Sequence, residues 1–195
     1  MDEIYAQALA RFDDAYVRAQ AASAFDASAM SVATVDGDGR PALRIVLLKG
    51  HDARGFVFYT NYDSRKGQEL AANPHAALCF YWQEMYEQIR IEGECVRVGE
   101  AEGDAYFASR ERMSQIGAWA SQQSQALDSR ATFERDIEQV EKRFTGRDVP
   151  RPPHWSGYRL VPRRIEFWRG LEGRLHERTA YWLEQGAWHT GLLYP

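Results

Sequence analysis

Arg174, His176 and Arg178 occupy alternate positions in Arg174-Leu175-His176-Glu177-Arg178, just beyond the aromatic pair Phe167-Trp168. In extended backbone the three share one strand face. Cationic groups crowded on one face repel one another and are costly to bury, so the pattern asks for an anion against it. Basic clusters recur at Arg44 to Lys49 and at Arg65-Lys66. The chemistry these residue types offer is capture of a phosphorylated small molecule.

Each cluster also has an ordinary reading. In Arg44-Ile45-Val46-Leu47-Leu48-Lys49 the two cations are five residues apart, so a regular strand points them to opposite faces. They serve two anions, or one if a bulge intervenes, or they are strand-end charges reaching solvent. Tyr59-Thr60-Asn61 followed by Ser64-Arg65-Lys66 runs from a strand end into a helix start. Free N–H groups there, with Arg and Lys, make an anion site, and the alternative is an exposed basic turn. Tyr106, Arg110 and Ser114 are spaced i, i+4, i+8 along one side of a helix or its continuation and offer three donors suited to a phosphate. Otherwise Tyr106 packs in the core while the other two are solvated. Gln88 is a strand amide able to read a heterocycle edge or simply exposed. The stretch from Ser114 to Ser121, with Gln123-Ser124, reads as a structured loop or short helix.

Elements to hold these residues are legible. Residues 2 to about 23 form an Ala-rich helix with Ile4, Leu9, Phe12 and Tyr16 on one face. Strands are expected at Met30–Val35 and Ala42–Leu48 around an Asp36–Gly39 hairpin, at Phe56–Tyr59, at Ala76–Trp82 and at Ile89–Val98. Ser64 caps a short helix running through Leu70. Helices follow at Glu100 to about Arg110 and at Thr132–Phe144, the latter with Phe133, Ile137, Val140 and Phe144 on its apolar side. Beyond the Pro150–Pro153 connector come strands Tyr158–Val161, Arg164–Trp168, Arg174–Arg178 and Tyr181–Leu183. A turn at Gln185-Gly186 leads to a last strand near Trp188. Recurrent hairpins and few long crossovers favour an antiparallel barrel with flanking helices over a βαβ fold. One domain over 1–195 is expected, with an N-terminal helix in 1–25, a helical insertion at 100–146 and C-terminal strands at 155–195.

Composition narrows the classes. A net charge of −4 opposes general binding to nucleic acid or anionic membrane, so any cationic site is local. Cys79 and Cys95 lie in apolar runs without CxxC spacing and read as two buried, reduced thiols. With no signal peptide and no apolar run of spanning length, the expected location is cytoplasmic. The five histidines are scattered and no HExxH, GxSxG, P-loop or GxGxxG is present, so neither a metal site nor a hydrolase or dinucleotide dehydrogenase is indicated.

Taken in order, RIVLLK, FYTN, SRK, the NP before Ala76, SQIGAW, QxS, PxxWxGYR, IEFWxG and RLHxR resemble the pyridoxamine/pyridoxine 5′-phosphate oxidase family from about Met30 to Pro195. The resemblance implies an FMN-binding split β-barrel, built as a homodimer with FMN at the interface. It implies that Arg44, Ile45, Val46, Leu47, Leu48, Lys49, Tyr59, Thr60, Arg65, Lys66, Gln88, Gln123, Ser124, Trp168 and Arg178 bind FMN. Lys49, Tyr106, Arg110 and Ser114 would hold the substrate phosphate, while Arg174, Leu175 and His176 would line the substrate ring, Arg174 and His176 as catalytic residues. The implied reaction oxidises pyridoxamine or pyridoxine 5′-phosphate to pyridoxal 5′-phosphate with O₂, releasing hydrogen peroxide, and ammonia from the amine. Alternatives on the same barrel are an oxidase of another ring, such as a phenazine precursor, or a non-catalytic FMN or pyridoxal phosphate binder. The chain departs from the family pattern at Glu87 and Leu192, where Arg is usual, and at Ser156, where Gly is usual. It also starts late, so the segment that closes over substrate in some members is expected to be short or missing.

Overall fold

Asp2 accepts the N–H groups of Ile4 and Tyr5 and so opens helix α1, Glu3–Ala22, in the computed structural model, which describes residues 2–195. The helix buries a wider face than the sequence spacing implied: Tyr5, Ala8, Leu9, Phe12, Ala15 and Ala19. Phe12 carries that face into the sheet, edge-on to Phe56 and Phe80. A buried ring of this kind contributes about 1.5–3 kcal/mol.

The Asp36 carboxylate accepts the N–H groups of Asp38 and Arg40, closing the expected hairpin between β1, Ala29–Val35, and β2, Pro41–Leu47. A second hairpin joins β3, Gly50–Asp52, to β4, Gly55–Asn61. Ser64 caps α2, Arg65–Ala72, by accepting the Gly67 N–H. Strands β5, His75–Trp82, and β6, Glu87–Arg97, are followed by three helices: α3, Glu100–Ala108, α4, Arg112–Ala120, and α5, Arg130–Arg143. The segment read as a loop or short helix from Ser114 is therefore the body of α4.

Strand β7 runs unbroken from Trp155 to Arg169, where the sequence suggested two strands around Pro162. Proline cannot donate to a ladder, but here the β6–β7 register slips between Glu92 and Gly93 and a bulge takes up the discontinuity. Gly93 is required opposite it, because a Cβ there would lie 2.0 Å from the Val161 carbonyl oxygen. After β7 the chain does not continue as the expected strand from Arg174. Glu172–Arg174 form a short 3-10 turn in which Gly173 and Arg174 both have positive φ, 66° and 62°. Strand β8 begins only at Glu177 and ends at Glu184, and the left-handed pair Gln185-Gly186 turns it into β9, Ala187–Leu193. Arg174 and His176 are thus loop residues and share no strand face with Arg178.

The antiparallel strands are ordered β2-β1-β5-β6-β7-β4-β3, with β8 added to β7 and β9 to β8, and curl into a half-barrel. One face is the core, where Val32, Leu78, Phe80, Ile89, Ile91 and Ile165 meet α1. The opposite face carries registered rows such as Ile45, Ser31, Cys79, Arg90 and Glu166, and Tyr81, Gln88, Trp168 and Arg178. Cys79 lies there half-buried rather than buried; Cys95 is in the core, and both are free thiols. Among the described residues no helix is long and apolar enough to cross a membrane.

Candidate functional site

A cleft of about 310 Å³ opens where edge strand β2 faces β4, α2 and α3. Its cations are Lys49, Lys66 and Arg110, and among the described residues no carboxylate lines it. β2 pairs only with β1, so alternate backbone groups along Ile45–Leu47 are free on the cleft side. Leu48 is buried behind this edge, and Lys49 lies in the connector after β2, its N–H bonded to the Val57 carbonyl. The opposite-face geometry expected of Arg44 and Lys49 therefore does not apply to one regular strand.

Lys66 stands in the first turn of α2. Its Nζ donates to Thr60 Oγ1 at 3.1 Å and to Gln123 Oε1 at 3.2 Å, both neutral acceptors. Burial, and then the Arg44 charge, lower its pKa, with Glu69 opposing. A half-buried ammonium without an ion-pair partner is a strong binder of an incoming anion.

The other end of the cleft is aromatic. Trp155, Tyr59 and Tyr106 stack, with Tyr59 and Tyr106 centroids 3.8 Å apart and Tyr59 and Trp155 5.5 Å apart. The Arg110 guanidinium lies 4.4 Å from the Trp155 ring centre, and its Nη1 is buried without a hydrogen-bond partner. Burial pushes the Tyr59 phenol up to about 12, with Glu102 adding to it, and raises Tyr106 as well. Both phenols keep their protons near neutrality and remain donors. The donor set fits a phosphoryl group: an orphaned guanidinium N–H, two ammonium groups and a phenol converge on one cleft.

Ser114 is not part of it. Helix α3 stops at Ala108, and the break through Ser109–Glu111 re-aims the chain into α4, where Ser114 is exposed. The i, i+4, i+8 alignment fails because the three residues are not on one helix. Ser124, in left-handed backbone at φ 73°, faces the α4–α5 connector instead of the cleft.

Other expected anion binders are already paired. The buried Glu69 accepts from Arg44 Nη2 at 2.9 Å and Arg65 Nε at 2.7 Å. Burial works to raise its pKa, but hydrogen bonds from Thr34, Arg44 and Arg65 outweigh this and hold it low. On the opposite sheet face the buried Glu166 binds Arg90 and, through Oε1, Arg178 Nε at 2.9 Å. The same balance keeps the Glu166 pKa below its ordinary value.

Gln88, Trp168 and Arg178 are neighbours by register across β6, β7 and β8, and the His176 ring lies 4.6 Å from Trp168. His176 Nδ1 accepts the Leu171 N–H at 3.1 Å, which places the proton of the neutral ring on Nε2. Gln88 and Trp168 line a separate cavity of about 200 Å³. Trp155 and Trp168 stand at opposite ends of β7, roughly 40 Å apart along the strand. Within one chain, then, Arg174, Leu175 and His176 are not brought to the cleft lined by Lys49, Lys66 and Arg110.

The departures have local answers. Glu87 is bound by both terminal nitrogens of Arg18 from α1, at 3.2 and 3.1 Å, so its charge near Gln88 is neutralised. Ser156 is buried beside Gly103 of α3, its hydroxyl unpartnered, and Leu192 is an exposed residue of β9. Sequence reasoning missed Trp155 as a wall of the cleft, and Glu69 and Glu166 as the buried carboxylates that occupy the other arginines. A carboxylate inside the apolar run Ile165-Glu166-Phe167-Trp168 was a signal that a cation had to be near.

Comparison with known proteins gives a consistent assignment. The family model described as pyridoxamine 5′-phosphate oxidase matches residues 18–144, and that of the pyridoxine 5′-phosphate oxidase C-terminal dimerisation region matches 155–195. A pyridoxine/pyridoxamine 5′-phosphate oxidase of Myxococcus xanthus is 59% identical over 95% of this chain and 90% of its own length. One from Xanthomonas axonopodis pv. citri is 54% identical over the full length of both. PhzG from Burkholderia lata, solved in complex with tetrahydrophenazine-1-carboxylic acid, superposes with a TM-score of 0.91 at 33% identity, covering 96% of this chain and 92% of PhzG. An FMN-binding protein from Nostoc punctiforme shares the fold at a TM-score of 0.74 and 20% identity, over 93% of this chain and 96% of its own.

Proposed function

The chain belongs to the pyridoxamine 5′-phosphate oxidase family, and on that premise we propose that it oxidises pyridoxamine and pyridoxine 5′-phosphates to pyridoxal 5′-phosphate, with O₂ as acceptor. Hydrogen peroxide is the co-product, and ammonia leaves when the substrate is the amine. The family is FMN-dependent and this chain carries its dimerisation region. The observation that carries the reading is the cleft with three unpaired cations, an orphaned Arg110 N–H and no carboxylate.

Residues at the Lys66, Thr60 and Gln123 end would hold FMN together with the free edge of β2; FMN, when bound, supplies the electron-accepting ring. Lys49, Tyr106 and Arg110 would grip the substrate phosphate and so orient the carbon to be oxidised. Arg174 and His176 would come from a second copy, since the strand length separates them from the cleft in their own chain. There His176, with Nε2 free, would hold or move the proton lost from the substrate amine or hydroxyl, and Arg174 would orient the ring. The test is an aerobic peroxide assay on the purified yellow protein with both phosphorylated vitamers. Peroxide and pyridoxal 5′-phosphate in equal amounts support the reading, and a yellow protein inert toward both contradicts it.

The likeness to PhzG favours a second reading, an oxidase of a phenazine precursor. Such a substrate has no phosphate to occupy Lys49, Tyr106 and Arg110, so a competition assay between the two ring types separates the readings.

A further inference from the structure

The turn between β5 and β6 ends on a residue the backbone does not favour. Tyr86 sits in left-handed conformation, φ 55° and ψ 37°, where Gly or Asn is the usual occupant. Its carbonyl accepts the Gly170 N–H at 2.8 Å, and its half-exposed ring covers Gly170 so closely that a Cβ there would come within 1.9 Å of Tyr86 Cδ1. The same ring stands 5.9 Å from Trp168, which in turn packs against His176. Gly170 opens the loop that carries Arg174 and His176, and Arg174 itself is exposed and left-handed. Residues in unfavourable backbone persist where the surroundings hold them, commonly at working sites.

We propose that Tyr86 is a positioning residue: its ring and carbonyl clamp Gly170 and, through Trp168, fix the loop that presents Arg174 and His176. This rests on the reading that the loop works on the substrate. The clamp acts on turnover, while the phosphate cleft at the far end of β7 sets substrate and cofactor affinity.

The test compares Tyr86→Asn, Tyr86→Phe, Gly170→Ala and the Tyr86→Asn/Gly170→Ala pair as holoenzymes, with Arg174→Ala as reference. Asparagine tolerates the left-handed turn and removes only the ring; alanine at 170 drives a methyl into it. Tyr86→Asn and Gly170→Ala are each expected to lower kcat about tenfold, with KM and FMN affinity within twofold, because small misplacements of acting groups cost rate. Tyr86→Phe should match the parent, and the pair should lose no more than either single variant, since both remove one contact. A lowered Tm with kcat retained in Tyr86→Asn, while Arg174→Ala is strongly impaired, would overturn the clamp and leave the loop's role intact. Full turnover in Arg174→Ala would remove the loop's role and the clamp with it.

Discussion

Lys49, Lys66 and Arg110 differ from Arg44, Arg65, Arg90 and Arg178 in one respect: what the fold places opposite them. The first three line a cleft without a carboxylate, and the second four are held by Glu69 or Glu166. The two sets were indistinguishable as basic residues in the sequence. The nearest buried carboxylate decides which cations are free to take a ligand and which hold the sheet together. Substitution should therefore split the two sets: function without stability for one, stability first for the other.

The largest effect on stability is expected from Glu166→Gln. It removes the shared partner of Arg90 and Arg178 and should cost about 3 kcal/mol, near the low end for breaking a buried pair because the arginines reach solvent. The pH dependence follows from the depressed Glu166 pKa. The stabilisation is fully present above the unfolded carboxyl value and is lost as pH falls through the lower folded value. Chemical denaturation from pH 7 to pH 3 should show the parent losing stability in acid more steeply than the variant.

Arg110→Ala should do the reverse, raising KM for a phosphorylated substrate about 100-fold, the worth of one or two charge-assisted contacts. Its Tm should fall by no more than a few degrees, because Nη1 has no hydrogen bond to lose and only the contact with the Trp155 ring is given up. Lys66→Ala is expected to weaken FMN by about 10- to 150-fold, equivalent to about 1.5–3 kcal/mol, read from flavin fluorescence on titration. The smallest change belongs to Arg65→Ala: the arginine is exposed and the buried Glu69 keeps Arg44 when it is lost, so the cost should be about 1 kcal/mol. Were FMN weakened as much by Arg65→Ala as by Lys66→Ala, Arg65 would have to leave Glu69 for the cofactor, and the division would fail there.

Local chemistry made much of the fold legible. Asp36 to Gly39 and Gln185-Gly186 are turns whatever surrounds them, Ser64 is a cap, and the apolar spacing from Phe133 to Val140 marks α5. What escaped depends on distant partners. Pro162 reads as a strand break until Gly93 of β6 supplies a bulge opposite it. Arg174 to Arg178 alternates like a strand, but Gly173 and Arg174 turn the backbone left-handed and only Glu177 onward pairs. Tyr106, Arg110 and Ser114 fit one helix face on paper, yet the break at Ser109–Glu111 keeps the first two in the cleft and discards the third. Of the residues the family motifs pointed to, Lys49, Tyr59, Thr60, Lys66, Tyr106, Arg110 and Gln123 lie together in the cleft; the motifs did not show that Arg44 and Arg65 share one buried glutamate.

The most direct measurement is the ratio of kcat/KM for pyridoxine 5′-phosphate over unphosphorylated pyridoxine, in the parent and in the Lys49→Ala/Arg110→Ala variant. If the free cations of the cleft grip the phosphate, the parent strongly prefers the phosphorylated compound and most of that preference disappears in the variant. An unchanged preference in the variant, or none in the parent, would contradict it.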